Sequence, residues 1–180
     1  SRSKCAALVP ILSRELEVLG EVIRAVVITD YETTSAVTAE IEHLLDEEAG
    51  GAVAAFRTIV SDTQTDQLDP ILVTGSTLLV DDDLCQRFLD AARSWLKEEQ
   101  VEVELQAESQ GEFFLIKGKG TQWGTRVYVQ MVTELFQRGI TRCLVGTRGL
   151  LGEGWDASRT NTLIDLTTAT TTMTVNQLRG

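Results

Sequence analysis

Arg142-Cys-Leu-Val-Gly-Thr-Arg-Gly-Leu-Leu-Gly-Glu-Gly-Trp-Asp156 is the stretch of this sequence that decides the fold. The short apolar run at 143–145 is typical of a fully buried parallel strand. It leads at once into a loop with glycines at 146, 149, 152 and 154. Ligands of open α/β sheets bind where such strands end, and glycines let a phosphate or sugar approach backbone N–H groups. The stretch therefore predicts a parallel sheet with a glycine-rich loop at its carboxyl edge.

The side chains around these glycines are suited to a nucleotide or a nucleic acid. Thr147 offers a hydroxyl, Arg148 offers a guanidinium that matches phosphate oxygens, and Asp156 offers a carboxylate for a ribose hydroxyl. Glycine-rich turns also occur in loops that bind nothing, and an arginine can simply be a solvated surface residue. The loop is therefore either a ligand site or an ordinary turn.

The rest of the chain alternates apolar strands with amphipathic helices, which predicts an α/β fold with a largely parallel sheet and right-handed crossovers. The 180 residues suit one domain, spanning 1–180. The predicted helices are 3–19, 35–48, 84–96 and 127–138, with Gly50-Gly51 ending the second, and the predicted strands are 25–28, 56–60, 71–74, 77–80, 101–105, 113–116 and 161–166.

The composition restricts the possible functions. A net charge of -11 and a pI near 4.5 argue against a broad electrostatic grip on nucleic acid, although a local site could form from the arginines of the last forty residues. The three cysteines are far apart and have no general base nearby, so we expect a reduced cytoplasmic protein with buried thiols and no metal site. No apolar run is long enough to span a membrane.

Two charged segments have alternative interpretations. Asp81-Asp-Asp83 precedes a helix, and we interpret it as an N-terminal cap and dipole complement rather than as a metal site. The basic, glycine-rich segment Lys117–Arg126, predicted to be a loop, contains Trp123. It could contact a nucleic-acid backbone and stack a base, or its tryptophan could pack on the following helix.

Two motifs carry a resemblance to a known family. The segment Val145–Asp156 resembles motif V of superfamily 2 helicases, of the DEAD/DEAH type, and Gln177-Leu-Arg-Gly180 resembles the opening of their motif VI. Thr29-Asp30-Tyr31 is similar to the motif IV position, although capping of the next helix by Asp30 is the favoured interpretation. The resemblance covers residues 20–60 loosely and 112–180 well. Ser158 stands where many relatives have proline, and residues 71–110 do not fit the pattern, so we interpret them as an insertion.

The resemblance implies a fold and an activity. The fold would be the second, C-terminal RecA-like domain of such a helicase: a three-layer α/β/α sandwich with a mainly parallel sheet, of the P-loop NTPase type, carrying an inserted α/β element. The full-length protein would be an ATP-dependent helicase or translocase acting on DNA or RNA, with DNA favoured. This chain has no Walker A sequence, so we expect it to be inactive alone.

The resemblance also implies roles for individual residues. Thr147 would contact a phosphate of the bound strand, with Arg148 beside it. Gly154 and Asp156 would face the ribose of the nucleotide, and Gln177 would couple the two domains across the ATP cleft. ATP and Mg would be held mainly by an N-terminal RecA-like domain of the same protein. No catalytic residue is expected in this chain, because the motif VI arginines would follow Gly180.

Two other functions remain open. A nucleotide-sugar-binding domain of a glycosyltransferase would also place a glycine-rich loop and a ribose-binding acid at the edge of a parallel sheet. A non-catalytic interaction module would instead use residues 71–110 as its binding surface.

Overall fold

The computed structural model describes residues 5–30, 49–152, 155–167 and 172–175, with the backbone alone at 49–50 and 172–175. Five helices lie in this part of the chain: α1 (Leu8–Leu19), α2 (Ala49–Val60), α3 (Cys85–Glu98), α4 (Thr125–Arg138) and the short α5 (Arg148–Leu151). Two 3-10 helices, Gly20–Val22 and Thr65–Leu68, connect elements. The predicted helix 35–48 lies outside the described residues.

The strands form one mixed sheet. They are β1 (Ala25–Thr29), β2 (Ile71–Val73), β3 (Leu78–Asp81), β4 (Glu104–Ser109), β5 (Phe113–Lys119), β6 (Cys143–Thr147), β7 (Thr162–Asp165) and β8 (Thr172–Val175). Their order is β4-β5-β3-β2-β6-β1-β7-β8. The four strands β2, β6, β1 and β7 are parallel, whereas β3, β5 and β4 on one side and β8 on the other pair antiparallel. The predicted α/β class and parallel centre are confirmed.

Helices cover both faces of the sheet. Every residue of β1 and β6 is buried, as expected for strands with a layer on each side. Val26 and Leu144 belong to the core that contains α3 and α4, whereas Val27 and Val145 belong to the core that contains α1 and α2. Successive side chains of each strand thus point alternately into two separate hydrophobic layers, one on each face of the sheet.

The prediction for residues 56–60 is wrong, because they form the last turns of α2 rather than a strand. Gly50 and Gly51, predicted to end a helix, lie in the first turn of this one. Ala52, Phe56 and Ile59 are completely buried at helical spacing, and this packing overrides the strand preference of the β-branched residues at 58–60.

The boundaries of other elements also differ from the prediction. Pro10 lies in the first turn of α1, where it is compatible with a regular helix. The strand predicted at 101–105 begins only at Glu104, and the strand predicted at 113–116 continues to Lys119. The prediction that one of the aspartates at 81–83 is the N-cap of α3 is wrong. The N-cap residue is Leu84, which makes no side-chain capping hydrogen bond.

The antiparallel addition, which is the group of antiparallel strands beside the parallel centre, does not coincide with residues 71–110, the segment interpreted from the sequence as an insertion. Strand β2 pairs in parallel with β6, with Ile71 opposite Leu144, and so belongs to the parallel centre. The antiparallel part consists of β3, β4 and β5, with α3 between β3 and β4, and spans 78–119. Among the helices that the structure describes, none is both long and apolar enough to cross a membrane.

Candidate functional site

The carboxyl edge of the parallel strands brings together residues from distant parts of the sequence. Thr29 and Thr147 end β1 and β6 in direct register, and both are buried. The Thr29 hydroxyl donates to the Gly146 carbonyl at 3.3 Å. Thr74 follows β2 on the other side of β6, and Asp165 ends β7. Four strand ends thus bring small polar residues to one edge. The sequence placed Thr147 in a loop that begins after residue 145, but Thr147 is the last residue of β6, and Arg148–Leu151 form α5.

Arg148 follows Thr147 directly and crosses this edge towards β7. Its side chain is 59% exposed, and its guanidinium donates to Asp165 Oδ2 at 3.0 Å and also to the Thr167 hydroxyl. Asp165 Oδ1 accepts hydrogen bonds from the backbone N–H (2.8 Å) and the hydroxyl (2.5 Å) of Thr167. The predicted phosphate ligand therefore already has an intramolecular anionic partner.

The environment of Asp165 favours its charged form. Burial alone would raise the pKa of this carboxyl, but the hydrogen bonds from Thr167 and the charge of Arg148 outweigh burial and hold the pKa below its usual value. Asp165 is therefore a firmly ionised partner for Arg148 at neutral pH.

Two glycines of the predicted ligand loop are required by the packing of the chain on itself. A Cβ at Gly146 would lie 2.5 Å from Leu151 Cδ1 and 2.6 Å from the Val73 carbonyl oxygen. A Cβ at Gly152 would lie 2.3 Å from the Arg148 carbonyl oxygen. Gly149, by contrast, has open space around the same position. At 146 and 152 the glycines therefore have a structural explanation that needs no ligand.

Asp156 lies apart from the strand ends, beside α4. It is exposed and lines a groove of about 360 Å³ together with Glu134, Trp95 and Trp155. The Trp155 ring packs against Phe136, with ring centroids 6.3 Å apart, and its Nε1 donates to the Thr133 hydroxyl at 3.0 Å. Trp155 thus fixes the start of the segment after the loop to α4, and Asp156 sits at the rim of a partly aromatic groove.

The remaining predicted site residues, Gly154 and Gln177, lie outside the described residues, and their roles stay predictions. The segment Lys117–Arg126 is described, and it is not a loop throughout, because its first three residues belong to β5. The Trp123 ring lies over Gly118, where a Cβ would come within 2.2 Å of the ring, and packs at 5.4 Å from the Tyr128 ring. Trp123 therefore packs on α4, as the simpler interpretation held.

A cluster of acids at the opposite edge of the sheet was not predicted. Carboxylate oxygens of Asp66, Asp81 and Asp83 all lie within 4.8 Å of one another. The sequence signal was the aspartate triplet, but Asp66 joins it only because β2 and β3 form a hairpin that returns the chain to the 3-10 helix Thr65–Leu68. This contact depends on the fold and could not be inferred from spacing.

Comparisons of the chain with protein-family models, with curated proteins and with solved structures find no match.

Proposed function

We propose that this chain is the second RecA-like domain of an ATP-dependent superfamily 2 helicase or translocase that acts on nucleic acid, with DNA favoured. One observation carries the proposal: the motif V-like stretch begins on β6, a central parallel strand, and turns at the carboxyl end of that strand. Ligands of open parallel sheets bind at this edge. The motif VI-like residues 177–180 support the same family.

In this proposal the two ligands are bound on either side of one short segment. Thr147 and Arg148 contact the nucleic-acid backbone, while Gly154, Asp156 and Gln177 face the nucleotide. ATP and Mg are bound mainly by an N-terminal RecA-like domain, so this chain supplies part of the cleft and is inactive alone.

The burial of Thr147 suggests how the ligands are coupled. Only 5% of Thr147 is exposed, so the proposal requires the surrounding chain to move before a phosphate can contact its hydroxyl. Asp156 belongs to the same motif V-like stretch and follows Trp155, whose indole donates to Thr133. Binding of nucleic acid would therefore displace the segment that faces the ribose, which is the differential contact that allosteric coupling requires.

The reading frame around this chain provides the first test. The proposal expects Arg-x-x-Arg directly after Gly180 and a Walker A sequence upstream of Ser1. If the frame encodes neither, the helicase proposal is wrong.

The second test is ATP turnover by the protein that contains both domains. Asp156→Ala is expected to lower turnover with and without single-stranded DNA, whereas Thr147→Val, which keeps the buried volume, is expected mainly to lower the stimulation by DNA. Thr63→Val, at an exposed position outside both sites, is the matched control. Indistinguishable profiles for the Thr147 and Asp156 variants would contradict the division of roles, and a glycosyltransferase would show no DNA-stimulated turnover at all.

A further inference from the structure

The acid cluster of Asp66, Asp81 and Asp83 lies far from the candidate site. Strand β3 runs antiparallel to β2, so its last residue, Asp81, lies at the amino edge of the parallel strands, near Ile71. Thr147 ends β6 at the carboxyl edge. The cluster therefore belongs to neither the nucleotide nor the nucleic-acid contacts of the proposed function, and a role for these acids is independent of that proposal.

Asp81 is the unusual member of the cluster, because it is buried and one of its carboxyl oxygens has no hydrogen-bond donor among the residues that the structure describes. The residue is 2% exposed, and no hydrogen-bond donor in the described part of the chain reaches its Oδ2. An unpaired buried carboxylate is strongly destabilising, and proteins normally pair such a group or use it to coordinate a metal. Asp81 therefore needs either a proton or a cation.

The groups around Asp81 increase the cost of a negative charge on its buried side chain. The carboxyl groups of Asp66, Asp82 and Asp83 surround Asp81, and their negative charges oppose a charge on Asp81. The nearby Arg87 is paired with Asp69 at 2.8 Å, and no ion pair joins the three cluster acids to a lysine or arginine among the described residues. Local negative charge is thus concentrated without a counterion from the protein.

The backbone holds the three acids in place. Asp62 Oδ1 accepts hydrogen bonds from the N–H groups of Gln64 (2.9 Å) and Thr65 (3.3 Å), which fixes the entry to the 3-10 helix with Asp66. The Thr65 hydroxyl, completely buried, donates to the Ile59 carbonyl at 2.7 Å. These bonds keep Asp66 near Asp81 instead of letting the two carboxylates separate into solvent.

A second set of backbone bonds fixes the turn after β3. The N–H of Leu84 donates to the Asp81 carbonyl at 3.1 Å, and the N–H of Asp82 donates to the Glu112 carbonyl at 3.3 Å. The exposed Asp83 lies within this turn, so one face of the cluster is open to solvent and gives an ion a route of entry.

We propose that Asp66, Asp81 and Asp83 form a binding site for one hard divalent cation, with Ca²⁺ preferred over Mg²⁺. Carboxylates are the ligands that hard cations favour, and oxygens within 4.8 Å of one another can share a Ca²⁺ ion, which takes ligands at about 2.3–2.6 Å in flexible geometry. Mg²⁺ requires near-ideal octahedral geometry and gives up its waters reluctantly, so it binds more weakly here. The sequence-based expectation of no metal site is replaced by this proposal.

The role of the ion is structural. It would tie the 3-10 helix Thr65–Leu68 to the turn between β3 and α3, at the junction of the parallel centre with the antiparallel addition. An ion that binds the folded chain but not the unfolded chain raises the stability of the folded chain by mass action.

The test is titration of the 180-residue chain, first treated with a chelator, with CaCl₂ or MgCl₂ alone, followed by calorimetry and thermal unfolding. We expect one Ca²⁺ per chain, a Kd on the order of 10–1000 µM, and a rise in Tm of about 5–10 °C at a ~100-fold excess over Kd. The exposed Asp83→Asn variant should bind at least ~10-fold more weakly, and Asp81→Asn should bind more weakly still.

Asp90→Asn is the matched control, because it removes the same charge from an exposed position on α3 outside the cluster. It should change the affinity less than ~2-fold. The site is disproved if neither ion gives heat or a Tm change at about 10 mM, if Asp90→Asn weakens binding as much as Asp83→Asn, or if Asp83→Asn binds like the wild type. A proton shared between Asp66 and Asp81 would then explain the buried carboxyl. Should Asp81→Asn fail to fold, the result for Asp83→Asn decides.

Discussion

The guanidinium of Arg148 donates a hydrogen bond of 3.0 Å to the carboxylate of Asp165 and so ties the residue after β6 to the last residue of β7. β1 lies between these two strands, and the pair therefore spans it at the carboxyl edge of the sheet. The contact links the ends of two strands at this edge. It also pairs the arginine that the sequence assigned to a phosphate with a carboxylate of the same chain.

The first prediction concerns stability and pH. Because the folded-state pKa of Asp165 is lowered, its contribution to stability is present above the unfolded pKa of about 3.9 and is lost as the pH falls through the folded-state pKa. Asp165→Asn should lower the free energy of unfolding by about 1 kcal/mol at pH 6.5 and by less at pH 3. Urea unfolding at the two pH values measures this. An equal loss at both would assign the effect to packing.

The second prediction rests on the proposed function. If a phosphate competes with Asp165 for Arg148, then Asp165→Asn should tighten binding of single-stranded DNA by about 3–10-fold and Arg148→Ala should weaken it by a similar factor. Fluorescence anisotropy at a fixed, stated salt concentration measures both. Asp90→Asn controls for the change in net charge, and an equal gain in that variant would remove any special role for the Arg148–Asp165 pair.

The third prediction separates structural from permissive glycines at the end of β6 and around α5. Gly146→Ala should cost about 2–4 kcal/mol, because its Cβ would meet the Val73 carbonyl oxygen at 2.6 Å, which cannot rotate away. Gly152→Ala should be similarly destabilising, whereas Gly149→Ala should lie within about 0.5 kcal/mol of the wild type. Chemical denaturation of the three variants tests the order. A destabilised Gly149→Ala variant would show that the loop packs differently.

The fourth prediction concerns Cys143, whose complete burial raises the pKa of its thiol to about 12. The reactive species is the thiolate, so this thiol should react with a disulfide reagent only as fast as the sheet opens. The half-time at pH 8 should shorten steeply with urea, in parallel with unfolding measured by circular dichroism. Cys143→Ala identifies the slow phase, and fast modification under native conditions would contradict the burial.

The elements that were predicted best from the sequence are those whose own residues determine their secondary structure, without an overriding effect of tertiary packing. Strand β6 contains the apolar run predicted at 143–145, whose burial on both faces followed from its composition, but it continues to Thr147 into the predicted loop. The prediction for the region of α2 was wrong because it followed local signals, which were the glycines at 50–51 and the β-branched residues at 58–60. The helical spacing of Ala52, Phe56 and Ile59 was given less weight. Tertiary packing favours the spacing of buried side chains over local propensity.

The candidate site was predictable only in part, for a similar reason. The position of Thr147 at a strand end follows from its own segment, but the pairing of Arg148 with Asp165 requires β7 to lie two strands away from β6. The meeting of Asp66 with Asp81 likewise requires the β2–β3 hairpin. Such contacts join distant segments, and hydrophobic periodicity carries no information about them.

The place of β1 in the sheet also restricts how the chain can fold. Ala25 pairs with Cys143 on one side and with Thr162 on the other, so the strand near the start of this chain obtains both of its hydrogen-bonded neighbours from the last forty residues. During synthesis, β1, which is apolar except for Thr29, has two open edges until those residues leave the ribosome. Non-local pairing of this kind slows folding and exposes the nascent strand to association with other chains. This chain should consequently depend on chaperones while it is being synthesised.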